Sequence, residues 1–351
     1  MKNKISVSKK GQSLCLASIF LFIFTFSMAF SCQAADFYNK KGDGLKSHIA
    51  TSIHATEDFV WFSSSVAGAI SFDKQSEEFR LYTRNKDKLL GAVYSVVTAF
   101  DKTWIGTNLG MNVIDEDGVV TSVTEIEVPS IENPGEMTKK GIREARNLWF
   151  EGGYLWLCSY TVHGGLFKFD GKYWEEMKFG MSKFNYVTDI EVVGDDIWFG
   201  TSGYGVYIFN DISRRWTILN SASEELEKLV HDSVNDISFV KGKVWVCTAG
   251  GVSVIDPQKN GKFGIDSYTS KNTAPEMSLD NPTAMTTTKE GVIYVGTTNG
   301  LSKFSDGTWE RMELTDEDGN AVPFTMVKTL AIDGDYLWVG SNKGIFREQM
   351  E

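Results

Sequence analysis

Apolar residues in this chain fall in short alternating runs, separated by turn-formers at regular intervals, and hardly anywhere keep a helical period. One pattern recurs seven times: an aromatic residue, a hydrophobic or small residue, a small residue, then Ser or Thr, with Gly and a second apolar run following. Its copies are Trp61-Phe62-Ser63-Ser64, Trp104-Ile105-Gly106-Thr107, Trp156-Leu157-Cys158-Ser159, Trp198-Phe199-Gly200-Thr201, Trp245-Val246-Cys247-Thr248, Tyr294-Val295-Gly296-Thr297 and Trp338-Val339-Gly340-Ser341. The first and last are 277 residues apart over six steps. The period is therefore about 46 residues, the size of one four-stranded propeller blade.

Each repeat divides into four strands. Strand A precedes the aromatic residue, and counting back eight from it gives Ile53, Val96, Leu148, Ile190, Ile237, Thr286 and Leu330, apolar in every case but Thr286. Strand B carries the aromatic residue. Strand C follows the glycine, as in Gly165-Leu166-Phe167-Lys168-Phe169, and strand D often holds a second aromatic (Phe79, Trp174, Trp216, Phe263, Trp309). Asp170-Gly171 and Asp306-Gly307 suit the C-to-D turn. Only Glu224 to Val230 has room for a helical turn. The expected fold is an all-β, seven-bladed propeller of four-stranded blades. The seventh repeat stops after strand C, and Asp36-Phe37-Tyr38-Asn39 reads as the missing strand D, so the ring is expected to close through an N-terminal outer strand.

The composite motif aromatic-x-Gly-Thr-x-x-Gly-Leu-x-x-Phe-Asp, followed by Trp, resembles the two-component regulator propeller repeat across essentially all of residues 36 to 351. That resemblance implies a ligand-binding platform like those in the periplasmic sensor regions of hybrid histidine kinases, which perceive carbohydrate-derived signals. This sequence has one ring of repeats, with no following transmembrane helix and no kinase, so the resemblance carries over the platform and not the signalling. WD40, kelch and quinoprotein signatures are absent, and no cofactor is implied.

Residues 1–35 stand apart from the repeats. Lys2, Lys4, Lys9 and Lys10 precede an uncharged run from Leu14 to Phe30, and small residues follow in Ser31-Cys32-Gln33-Ala34-Ala35. This reads as a signal cleaved after Ala34, as a lipoprotein signal with Cys32 as the lipidated terminus, or as a retained anchor. Each reading puts residues 36–351 in the periplasm or outside the cell, touching the membrane only through an N-terminal anchor. Removing these four lysines and no acids takes the formal charge from −11 to −15. Such a surface repels phosphate backbones, so nucleic acid is not an expected partner. Cys158 and Cys247 occupy the small position that is glycine in four other copies, in non-adjacent blades, and are expected to stay unpaired and buried.

Catalytic and metal motifs do not emerge. His48, His54, His163 and His231 show no ligand spacing, and Asp316-Glu317-Asp318-Gly319-Asn320 lacks the spacing of a calcium loop. The repeats depart from their pattern in the loops around blades 3 to 5. Tyr160-Thr161-Val162-His163 lengthens one loop, Tyr204 another, and Pro129 to Arg143 forms a long approach to blade 3. These extensions are expected at the channel mouth, where Arg143, His163, Asn185, Tyr186, Tyr204, His231 and Asp232 would combine stacking surface with polar groups. The expected function is non-enzymatic recognition of a small molecule, glycan or peptide. The alternatives are a scaffold for an envelope or signalling protein, and a propeller lyase or hydrolase.

Overall fold

The structure is a computed structural model. It describes residues 49–130, 133–160, 165–177, 186–223, 228–257, 263–273, 279, 281–314, 321 and 326–350, and the backbone of 36–38. The Lys-rich N-terminal segment, Cys32, most of Glu224 to Val230 and the Asp316 turn lie outside the described residues. Among those residues no helix is long and apolar enough to cross a membrane.

Seven four-stranded antiparallel sheets form the blades of a β-propeller. Their innermost strands are Ser52–Ala55, Val93–Ala99, Ala145–Glu151, Val187–Val193, Val234–Val240, Pro282–Thr287 and Val327–Asp333. Each touches the next, and the seventh touches the first. Blade 7 takes its outer strand from Asp36–Tyr38, which pairs antiparallel with Ile345–Gln349 in the register Asp36 to Arg347 and Tyr38 to Ile345. The expected ring closure is therefore present.

The recurrent aromatic residue explains why blades pack. Its side chain is buried in every copy and crosses to the following blade. Trp104 of blade 2 meets Trp174 of blade 3 with ring centroids 6.2 Å apart, and Trp245 of blade 5 lies 5.0 Å from Phe304 of blade 6. Trp338 of blade 7 meets Phe62 and Phe72 of blade 1 at 5.3 and 5.2 Å, which seals the ring. Offset and edge-on ring pairs of this kind add to the hydrophobic gain of burial. Two positions later the chain needs a small residue. A Cβ on Gly296 would lie 2.3 Å from Val327 Cγ1 of the next blade. Cys158 and Cys247 fill that column in blades 3 and 5, both free and fully buried. Burial pushes the Cys158 thiol up to about 12, so it holds no thiolate at neutral pH.

Three local readings are corrected. In blade 6 the inward position is Met285, paired with Val295, and not Thr286, because the turn from Thr288 to Val292 is one residue longer than in most other blades. The approach to blade 3 is not a channel-mouth loop. Glu125–Pro129 and Met137–Gly141 form a separate β-hairpin against Trp174–Met177, the outer strand of blade 3. Its alternation buries Ile126 and Val128 into the cluster around Trp104 and Trp174. Lastly, Arg84–Asp87 forms one helical turn, N-capped by Thr83, that the hydrophobic pattern does not announce.

Deleting residues 36–42 should strip the outer strand from blade 7, expose an edge and lower the thermal midpoint by several degrees in a melting experiment. An unchanged midpoint would show that the strand does not hold the ring.

Candidate functional site

An innermost strand has no neighbour on its channel side, so its backbone groups there need other partners. They find them on the preceding blade. Thr329 accepts from Ile53 N at 3.2 Å, Ser52 from Val96 N at 3.2 Å, Asp189 from Ile237 N at 2.7 Å, and Asp236 from Met285 N at 2.9 Å. Carbonyls are satisfied likewise: Thr51 donates to Tyr94 O, Asn147 to Val187 O, Thr188 to Val234 O, Asn235 to Pro282 O and Thr283 to Val327 O. Blades 2 to 7 reach this arrangement through a β-bulge at the same place, beside Ser95, Asn147, Asp189, Asp236, Ala284 and Thr329. A bulge turns one extra side chain toward the axis. The result is a channel cavity of about 280 Å³ with a predominantly polar lining.

The lining is chemically lopsided. Asp189 of blade 4 and Asp236 of blade 5 both line the cavity. Burial raises the affinity of both carboxyls for a proton, and for Asp236 the neighbouring Asp189 charge adds to it. Glu191, on the same strand as Asp189, is pushed up to about 8 by burial, then by the charges of Glu151 and Asp189. Across the ring His54 of blade 1 is held neutral, its pKa lowered to about 4 by burial. Among the described residues no three His, Cys, Asp or Glu side chains converge as a metal site.

At the mouth, four tyrosines and an arginine form a continuous shelf. The ring centroids of Tyr186 and Tyr204 lie 6.1 Å apart, and those of Tyr160 and Tyr186 lie 6.3 Å apart. The Arg146 guanidinium sits 5.4 Å from the Tyr160 ring and 5.2 Å from the Tyr94 ring. The Tyr160 hydroxyl donates to Val187 O at 3.1 Å, which fixes that ring. Tyr94 belongs to both the shelf and the channel lining. Stacked aromatic faces beside a guanidinium offer apolar area and a fixed positive charge together.

The residues expected from the sequence divide as follows. Tyr186, 44% exposed, and Tyr204 come together on the shelf. Asp232 lies beneath, as a clamp: its carboxylate accepts from Ser221 N and Oγ, and its carbonyl accepts from Gly203 N and Gly205 N, holding the Tyr204 turn. His231 is exposed, and its Nδ1 accepts from Ser233 N at 2.9 Å. Arg143 is exposed; its carbonyl accepts from Ser159 Oγ, and its side chain makes no ion pair or ring contact among the described residues. His163 and Asn185 lie outside the described residues. Sequence reasoning missed Tyr94, Arg146, Asp189 and Asp236. A signal for the two acids exists in the column one residue before the inward apolar position: Ser52, Ser95, Asn147, Asp189, Asp236, Ala284, Thr329. Only blades 4 and 5 carry a charge there.

No protein-family model matches the sequence, and no curated protein matches it. Solved structures do. The extracellular domain of the two-component system protein BT3049 of B. thetaiotaomicron superposes with a TM-score of 0.67 at 16% identity, over 90% of this chain and 41% of that one. For the extracellular domain of BT4673 of the same organism the values are 0.66, 15%, 90% and 40%. This chain shares their propeller fold. It spans about two fifths of the length of these relatives. A virginiamycin B lyase from Staphylococcus aureus also superposes, with a TM-score of 0.61 at 13% identity over 91% of this chain and 98% of that one. At these identities the likeness is one of fold, and it is the fold that the repeat resemblance implies.

Folded Glu191 and the aspartate pair hold protons that the unfolded chain releases by about pH 5. Their folded affinities are raised, so their stabilising contribution is complete below about pH 4 and is lost as the pH climbs through the folded values, about 8 for Glu191. The thermal midpoint should fall between about pH 5 and pH 8, and Glu191→Gln should flatten that fall. Parallel pH profiles for the two proteins would refute the assignment.

Proposed function

We propose that this propeller is an extracytoplasmic recognition domain of the sensor type, which binds a polar organic ligand (a small molecule, a glycan or a peptide) at the channel mouth without transforming it. The observation that carries this reading is the shelf of Tyr94, Arg146, Tyr160, Tyr186 and Tyr204 laid over the edge of a polar channel. Hydrogen bonds from the Tyr160 hydroxyl to Val187 O and from the Tyr204 turn to Asp232 O hold two of its rings, so a ligand pays less to order them. The non-enzymatic part rests on what the channel carboxyls do: Asp189 and Asp236 each hold a backbone amide of the following blade through one oxygen, a structural duty. The extracytoplasmic part rests on the lysine-rich, apolar N-terminal segment and on the extracellular origin of the domains that share the fold.

The test is a thermal-shift screen of soluble oligosaccharides, peptides and small polar aromatics, followed by calorimetry on each hit. Replacing Tyr186 and Tyr204 together by alanine should weaken a hit by about 1–3 kcal/mol, roughly ten- to hundredfold, and leave the melting point of the free protein within a degree or so. Asp232→Ala should weaken it less, by loosening the turn that presents Tyr204. Full affinity in the double variant would place recognition elsewhere, and turnover of a hit would make the protein an enzyme.

A further inference from the structure

The channel carries a second recognition surface, below the shelf and meeting it at Tyr94. Two features of opposite sign line the same cavity of about 280 Å³: the neighbouring carboxyls of Asp189 and Asp236 on blades 4 and 5, and Lys328 on the bulge of blade 7. They do not neutralise one another. Lys328 makes no ion pair and no hydrogen bond among the described residues, although both carboxyls share its cavity. Arg146, another cation near this end, is already paired with Glu144 at 3.2 Å and lies between tyrosine rings.

We propose that this cavity binds a small zwitterion, a molecule with one ammonium and one carboxylate, whose ammonium docks on the Asp189–Asp236 pair and whose carboxylate docks on Lys328. Each protein charge then meets the opposite ligand charge, and the net charge of the occupied channel is unchanged by binding. The pair suits an ammonium because it presents several acceptor oxygens around a negative charge shared by two groups. The Trp149 indole, in the same lining, adds a π face for the cation. The cavity lies at the small end of ligand pockets, about 300–1,000 Å³, which suits an amino acid rather than a chain of sugars.

The experiment is calorimetry on the purified protein with α- and ω-amino acids of increasing chain length. Each is compared with its primary amide, which keeps the ammonium and loses the carboxylate charge, and with its N-acetyl derivative, which does the reverse. At least one zwitterion should bind, with its amide and its N-acetyl form each about tenfold weaker or more. The Asp189→Asn, Asp236→Asn double variant keeps oxygens for Ile237 N and Met285 N and removes the charge of the pair; Lys328→Met keeps the stem and removes the ammonium. Each should cost the zwitterion about tenfold or more, and Lys328→Met should leave the weak binding of the amide unchanged. If the double asparagine variant does not fold, Lys328→Met alone carries the test. The proposal is overturned if no zwitterion binds, if the amide binds equally well, or if Lys328→Met retains full affinity. Loss of the zwitterion in the Tyr186→Ala, Tyr204→Ala double variant with retention in Lys328→Met would put the ligand on the shelf, and would also overturn it.

Discussion

Seven edge strands meet around one axis, and none has a strand on its inner side. Everything else in the molecule depends on how that edge is satisfied. The solution is a relay in which a polar side chain on one blade reaches the backbone of the next, from Thr329 to Ile53 N, Ser52 to Val96 N, Asp189 to Ile237 N and Asp236 to Met285 N. Hydrophobic contact between blades tolerates sliding, whereas these bonds are directional and fix each blade's height against its neighbour. The tryptophan column supplies adhesion, and the inner relay supplies register.

Because the relay residues also line the channel, structure and recognition draw on the same positions. A serine or threonine meets the backbone requirement without charge. Aspartate meets it equally well in geometry but brings a carboxylate into a place that resists ionisation. Both Asp189 and Asp236 therefore hold their protons more tightly than a free carboxyl, and Glu191 is raised for the same reason. Ala284 can make no such bond, and Ser95 has an oxygen but no partner. The ring is thus uniform as architecture and uneven as chemistry.

That division also marks what can be read from the sequence. The aromatic of strand B and the small residue two places on recur because every blade needs them, so blade number, strand order and closure are legible without coordinates. Thr286 looks like an exception only because blade 6 has a longer turn, which moves the inward position to Met285. The hairpin over Glu125–Gly141 was hidden by Pro129, Gly135 and Gly141, which read as loop, although Ile126 and Val128 already alternate. Loops were the right place to look for Tyr186 and Tyr204. They were the wrong place for Arg146, which a bulge in a strand turns toward the axis, and for Asp189, which reaches Asp236 only across two blades. Proximity around a ring is not encoded in spacing along the chain.

The outer strand Asp36–Tyr38 has a consequence for the order of assembly. Blades 1 to 6 are each contiguous in the chain and can form as local meanders while the polypeptide is still emerging. Blade 7 cannot, since its partners Asp36 and Arg347 stand more than three hundred residues apart. The first strand out must wait unpaired for the last, which makes closure the step of longest loop and highest entropic cost. Until then blade 1 lacks the indole of Trp338 against Phe62 and Phe72. A chain of this design stays open, with two sticky ends, until its last strands are in place, and only then becomes a ring.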